Sequence, residues 1–430
     1  MRVGDATLVA ARQQAARSDF LLDEPMRIRR CALLRLESRE ETRFDLSALL
    51  SGDTGVLSHM RWLAHAPALQ AEVEVDAAEV ALLGETSPSD WVSAAPLRMR
   101  HGAARVRRLL RAGLLVGSTA AWAHWRREDE RVRALHWHGA AADYHHASRW
   151  SGIDAAGEVE DAGLHNAEGL RRAYGVPPPM LHERADGGAI TVLPSAPRAA
   201  YDELLDARTS CRNFDVGRML PLTGLAQVLK RTFAERGRVR GADDFDVLKR
   251  TSPSGGALHP TECYLLARRV DGLAPGLYHY LPARHALQSL PMDDARILAD
   301  AGRHPAARGK TALDYLAWIA VGGQQYFAEA HALCVLAPRF YRNFWKYRRH
   351  PKAYRVCILD VGHLSQTLLL SATEAGLGSF VTAAINEVDI ERAFGLEPWS
   401  ESPLAVCGIG PRADRMETYE LDPNRRAWPR

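Results

Sequence analysis

Two runs of residues in this chain have types and spacing suited to chemistry. The first is Ser252-Pro253-Ser254-Gly255-Gly256-Ala257-Leu258-His259-Pro260. Two adjacent glycines remove the side chains that hold a backbone away from a ligand, so N–H groups can approach a flat, electron-rich ring. Donors of that kind suit an isoalloxazine, in which negative charge collects near N5 and O4 on reduction. The second run is Trp345-Lys346-Tyr347, which sets an amine beside a phenol. Both groups move protons when their pKa values are tuned. A lysine is a base only when neutral, and burial or neighbouring positive charge, here Arg348 and Arg349, favours that form. Together the two runs suggest a flavin-dependent oxidoreductase with a built-in base.

A third candidate is Arg208-Thr209-Ser210-Cys211-Arg212, two guanidinium groups and two hydroxyls within five residues. Arginine forks match phosphate oxygens and hydroxyls add neutral donors, although a plain surface turn fits the same residues. There is no Gly-x-Gly-x-x-Gly and no Walker loop, so neither a Rossmann nor a P-loop site is indicated. The six cysteines, Cys31, Cys211, Cys263, Cys334, Cys357 and Cys407, are scattered without a Cys-x-x-Cys pair. That argues against a zinc site and a disulfide framework, and no metal is expected. Most sit in apolar runs, where a reduced cysteine acts as a small core residue. Net charge is +3, which gives no global drive towards nucleic acid. The local arginine runs (Arg27 to Arg30, Arg107-Arg108 with Arg111, Arg348-Arg349) read as solvated faces, with an anionic peptide or phosphate partner as the other reading.

The elements that must hold these residues follow from periodicity and punctuation. At 430 residues the chain is too long for one ordinary core. Prolines at 177–179, 194 and 197 mark an extended connector. The expected domains are 1–140, 141–198 as connector, and 199–430. In the first, a basic and apolar strand over 26–36, a strand Glu72-Val73-Glu74-Val75, a helix 77–83 ending at Gly84, a helix 102–112 and a strand 114–116 form a winged-helix-like pattern. A small α+β domain of another kind fits it as well. In the last, Thr223 is placed to cap a helix with stripe Leu225, Val228, Leu229 and Phe233. Strands follow at 262–270, 277–280 and 332–337, and a buried helix at 363–375. Met1-Arg2-Val3-Gly4-Asp5 lacks a signal-peptide core, and no apolar stretch reads as long enough to span a bilayer, so a cytoplasmic protein without membrane contact is expected.

Taken in order, the motifs resemble the nitroreductase superfamily, and within it the SagB-type azoline oxidases that mature ribosomally made peptides. The residues carrying the resemblance are Arg208-x-Ser210-x-Arg212, Pro253 to Pro260 with Glu262, and Pro275-Gly276-Leu277-Tyr278-His279-Tyr280. It continues through Lys346-Tyr347, Tyr354-Arg355, Gly362-His363-Leu364-x-Gln366, Gly376-Leu377-Gly378 and Gly408-Ile409-Gly410-Pro411, covering about 200–412. The resemblance implies an α+β fold, a mixed sheet flanked by helices, in a homodimer with FMN at the subunit interface. It implies that Arg208, Ser210 and Arg212 hold the FMN phosphate and ribityl chain. Pro253, Ser254, Gly255 and Gly256 would line the isoalloxazine, and Leu377, Gly378 and Arg412 would complete the pocket. Lys346 and Tyr347 would be catalytic: a base removes a ring proton as hydride passes to flavin N5, and azoline becomes azole. Here Tyr354-Arg355 sits two residues later than in the family pattern, with His350-Pro351 in the gap, so the loop after the base is reshaped.

Three functions are consistent with these residues. One is an FMN-dependent dehydrogenase of a modified precursor peptide, which would bind its leader through the N-terminal domain and could work with a cyclodehydratase or other maturation enzymes. The second is an NAD(P)H-dependent nitro- or quinone reductase, which needs no Lys-Tyr base. The third is a flavin-free scaffold that docks a peptide. The phosphate-type arginines and the double glycine speak against the last.

Overall fold

The computed structural model describes residues 26–66 and 71–428, so the reading of Met1-Arg2-Val3-Gly4-Asp5 lies outside the described residues. Two units are present: Met1–Ser148 with Phe344–Ala353, and Arg149–Asn343 with Tyr354–Arg430.

In the first unit, strand Arg27–Arg30 pairs antiparallel with Val92–Ser93 on one side and Leu115–Gly117 on the other. Helices Ala77–Glu85, Ala94–His101 and Ala103–Arg111 accompany this three-stranded sheet. Asp76 and Glu79 form a reciprocal capping box at the first helix. That helix runs past Gly84 to Glu85, and Thr86 closes it. Helix Ala103–Arg111 buries Val106, Leu109 and Leu110, as its apolar stripe predicts.

The strand expected over 26–36 is two strands, and the second belongs to another sheet. Arg35–Phe44, Val56–Ala66 and Ala71–Val75 form an antiparallel sheet of which only the last strand was legible. Arg35–Phe44 alternates charges on one face rather than apolar residues. Its register is fixed by cross-strand pairs, Arg39 to Glu72 at 3.1 Å and Arg61 to Glu41 and Glu74 at 2.5 and 2.7 Å.

The second unit is built on a six-stranded sheet in the order 286–290, 276–281, 261–267, 332–338, 405–410 and 378–382, every neighbour antiparallel. A parallel bridge outside these strands, Ser210 to Ser379, lies at the 378–382 edge. Alternate residues feed two cores. Cys263, Leu265, Cys334, Leu336 and Cys407 face helices Leu222–Phe233 and Ala353–Glu374. Tyr264, Leu266, Leu333, Val335 and Val406 face helices Asp294–Ala301, Ala312–Ala320 and Glu387–Phe394. The first helix buries its expected stripe, but its cap is Pro221 and makes no side-chain bond, so Thr223 does not cap it. All six cysteines are buried and unpaired.

The helix expected at 363–375 begins earlier, at Ala353, and runs to Glu374. Among the described residues it is the one helix long and apolar enough to cross a bilayer by length and composition, contrary to the expectation that no stretch is. Val361, Leu364, Leu368 and Ala372 pack in the core against the sheet. Residues 141–198 are partly helical, with Gly139–Ser148, Ala155–Asp161 and Ala167–Tyr174. From 175 to 199 the chain carries no helix or strand, and every residue is exposed.

Candidate functional site

The double-glycine loop is a single tight turn, Gly255–Ala257, hung from the long helix. Ser254 donates its hydroxyl to Asp360 Oδ2 at 2.5 Å, and the Gly255 N–H reaches Asp360 Oδ1 at 3.4 Å. Ser254 Oγ in turn accepts the His259 N–H at 3.0 Å. Burial pushes the Asp360 carboxyl up from its ordinary value, and the Ser254 and Gly255 donors act against that rise. The two glycines serve different ends. A Cβ at Gly255 would stand 2.4 Å from Val356 Cγ1 of the helix. Gly256 has φ +64°, a left-handed conformation that favours glycine. As second residue of one turn, Gly256 has no partner for its N–H within that turn. Pro253 and Gly256 are exposed, whereas Ser254 and Gly255 are half-buried, so the loop offers backbone to a ligand on one side.

The arginine segment lies at the sheet edge. Ser210 bridges Ser379, Cys211 donates its N–H to the Ser379 carbonyl at 2.9 Å, and Phe214 bridges Arg412. Gly378 is required there, because a Cβ would meet Cys211 Sγ at 2.5 Å. Arg208, Ser210, Arg212, Leu377, Gly378 and Arg412 are thereby gathered into one group. The Arg208 guanidinium has no ion pair and the Ser210 hydroxyl no hydrogen bond among the described residues, and Ser210 is exposed. Nearby, Ser379 Oγ is buried without a partner. These are groups with donor capacity left over, which fits an anionic cofactor end. Arg212 donates to the Tyr419 carbonyl at 3.1 Å and lies over the Tyr326 ring, 5.3 Å from its centroid. A cavity of about 620 Å³ opens beside it, lined by Phe214, Tyr326 and Arg415 among others.

Arg412 is differently placed. It pairs directly with buried Glu420 and lies over the Trp428 ring at 5.4 Å. Glu420 also accepts from Arg212 N–H at 2.6 Å, from Asn213 N–H at 3.0 Å and from Trp428 Nε1 at 2.8 Å. Burial acts to raise the Glu420 carboxyl, yet these donors and the Arg412 charge hold it below its usual value. Arg412 therefore has one side committed to protein. No described hydrogen bond joins this edge group to the double-glycine loop.

Lys346 and Tyr347 lie in the first unit, in a turn after the short helix Phe340–Phe344 rather than in a helix. The Lys346 ammonium is exposed and sits over the Tyr347 ring, 5.4 Å from its centroid. Arg349, with φ +51°, donates its N–H to the His136 carbonyl at 3.0 Å, and Phe344 meets Trp137 edge-on at 4.8 Å. Sequence reasoning missed Asp360, Val356 and Glu420. For Asp360 a signal existed, since it is the lone acid inside the apolar run before Glu374. Glu420 had none, because its five donors are assembled only by the fold.

A glycine loop clipped to a core helix and an arginine group at the 378–382 edge fit an oxidoreductase-type domain. Residues 205–411 match the Nitroreductase family. The SagB-type character of the motifs agrees with two relatives named for processing. One is the trifolitoxin-processing protein TfxB of Rhizobium leguminosarum bv. trifolii, 29% identical over 37% of this chain and 39% of that protein. The other is the microcin B17-processing protein McbC of Escherichia coli, 27% identical over 38% of this chain and 54% of that protein. The chain thus spans less than two thirds of the length of either. A nitroreductase-named protein of Methanocaldococcus jannaschii is 28% identical over 51% of this chain and 94% of its own length.

Proposed function

We propose that this protein is an FMN-dependent dehydrogenase that acts on a modified, ribosomally made peptide, oxidising an azoline to an azole or a related saturated bond. The observation that carries the reading is the pair of unpartnered groups, Arg208 and Ser210, gathered beside Gly378 at the sheet edge. They would hold the FMN phosphate and ribityl chain together with Arg212, and Arg412 would act through the side not turned to Glu420. Pro253, Ser254, Gly255 and Gly256 would line the isoalloxazine, the loop held in shape by Asp360. By the resemblance, FMN would sit at the interface of a homodimer, so that a second copy of the chain would complete the flavin site. The names of the two processing relatives support a peptide substrate and the company of other maturation enzymes.

FMN, when bound, supplies a hydride acceptor. Lys346 would take the ring proton while the second hydrogen leaves as hydride, so the ring loses two hydrogens and two electrons. Tyr347 would orient the ring or relay the proton. An exposed lysine needs bound substrate or a second subunit to exclude water before it serves as a base.

The exposure of Lys346 favours one alternative, an NAD(P)H-dependent nitro- or quinone reductase that makes no use of it. Visible absorbance and released cofactor test the flavin: a yellow protein with about one FMN per chain is expected. Turnover of an azoline peptide by Lys346→Ala separates the readings. Loss of turnover with flavin retained is expected, whereas a fully active variant leaves the reductase. A colourless protein that takes up no added FMN overturns both.

A further inference from the structure

The first unit holds a pocket that the flavin chemistry does not use. Its volume is about 280 Å³, and its wall carries Arg30, Arg133, His136, His138 and Arg349 with no acidic residue. The floor is apolar, formed by Leu33, Leu34, Val132 and Trp137 among others. Below it, Asp129 is shared between Arg29 at 2.9 Å and Arg133 at 2.6 Å. Arg29 also reaches Glu130 at 3.6 Å, so the positive character of the wall rests on Arg30 and Arg349, neither of which has an ion pair among the described residues. Two polar atoms of the wall, Arg30 Nε and His138 Nδ1, are buried without a hydrogen-bond partner. A buried donor such as Arg30 Nε left unpaired is costly, and an acceptor arriving from solvent would relieve it. Arg349 is exposed and has no ion pair among the described residues. The basicity of His136 is lowered, first by burial and then by Arg348 and Arg349, as expected in a positive field.

We propose that this pocket anchors an acidic side chain of the peptide substrate, with an adjacent apolar side chain on the Leu33–Leu34 floor. A carboxylate matches the guanidinium forks, and the volume suits one or two side chains rather than a folded partner. The anchor is tied to the proposed base by covalent chain: Arg349 lies three residues beyond Lys346, and its N–H is fixed to the His136 carbonyl. A peptide held at Arg349 is therefore delivered close to the Lys346–Tyr347 turn. The proposal rests on the peptide-dehydrogenase reading for its substrate, but its binding step stands apart from the flavin.

The test is fluorescence anisotropy of the full chain with a fluorescein-labelled peptide of alternating Glu and Leu, and with its Gln and Leu counterpart. The acidic peptide should bind at least about ten-fold more tightly, and Arg349→Glu should remove about ten-fold of that affinity. Arg43→Glu, an exposed reversal elsewhere in the unit, should bind as the parent does. Arg349 is exposed, and thermal melts of the variant check that it folds. Equal binding of the two peptides, no binding, an unchanged Arg349→Glu or an equal loss in Arg43→Glu each overturns the pocket. So does full displacement by free glutamate, which would make it an amino-acid site. FMN content of the same preparation is read independently. A yellow protein without Arg349-dependent binding removes only the pocket, and a colourless protein with it removes only the flavin chemistry.

Discussion

Ser254 donates its hydroxyl to the Asp360 carboxylate at 2.5 Å, and the same Ser254 oxygen accepts the His259 N–H at 3.0 Å. One side chain thus closes the double-glycine loop on itself and fastens it to the core helix. The loop's shape is set from beneath, by a residue that need never touch a ligand. Asp360 is a positioning residue in this sense.

Removing that fastening should loosen the loop without unfolding the sheet. In Asp360→Ala, Ser254 loses a charge-assisted bond and the loop loses about 1–3 kcal/mol of support. FMN affinity, read by flavin fluorescence titration, is expected to fall about ten-fold or more. Asp360→Asn keeps an acceptor for Ser254 and should retain most of the affinity. Equal loss in both variants would point to the charge itself rather than to the bond.

Gly255 is fixed by a steric relationship that has its own rescue. A Cβ there would stand 2.4 Å from Val356 Cγ1, so Gly255→Ala should cost about 1–3 kcal/mol in urea unfolding and displace the loop. Val356→Ala removes the offending methyl and should restore part of both stability and FMN binding in the double variant. Gly256→Ala is strained by its φ of +64° instead, and Val356→Ala should do nothing for it.

That contrast shows what the sequence disclosed and what it withheld. Adjacent glycines in Pro253–Pro260 marked a close approach, but not whether the neighbour was ligand or protein. At Gly255 it is Val356, a residue 101 positions away with no local signature. Strands such as Ala332–Pro338 were legible because a continuous apolar run has few other uses. Arg35–Phe44 was not, since its alternating charges resemble a solvated surface until Arg61 of the neighbouring strand pairs with Glu41 and Arg39 reaches Glu72 of the strand beyond. Two residues expected at the cofactor, Ser210 and Gly378, lie at one sheet edge, where Ser210 bridges Ser379. The sequence set Lys346 beside Tyr347 but did not show that the short helix ends at Phe344, nor that the turn after it belongs to the first unit.

His259 carries a pH dependence that follows from its place in the loop. Burial, then the charge of Arg250, lowers its pKa from 6.5 to about 4, while its contact with the Leu248 carbonyl acts in the other direction. The folded state therefore resists a proton that the unfolded chain accepts. The resulting stability is fully present above pH 6.5 and is lost as pH falls towards about 4, by at most about 3 kcal/mol. His259→Asn, which tolerates the left-handed backbone at φ +44°, removes the titration. Melting curves of the two proteins should converge between pH 6.5 and 4 as the parent loses its advantage. Parallel curves would mean that His259 protonates in the folded protein without penalty.

The Lys346–Tyr347 pair allows the ring and the hydroxyl of Tyr347 to be tested apart. The ammonium lies over the ring at 5.4 Å from its centroid, a contact that needs the π face and not the phenol. Tyr347→Phe keeps that face and deletes only the group able to carry a proton. If the hydroxyl relays the proton from the substrate ring, kcat should fall about a hundred-fold with KM little changed. If the ring merely holds Lys346 in place, Tyr347→Phe should turn over normally and Tyr347→Ala should not. Steady-state kinetics of the two variants on an azoline peptide decide between these, and the first pattern is expected.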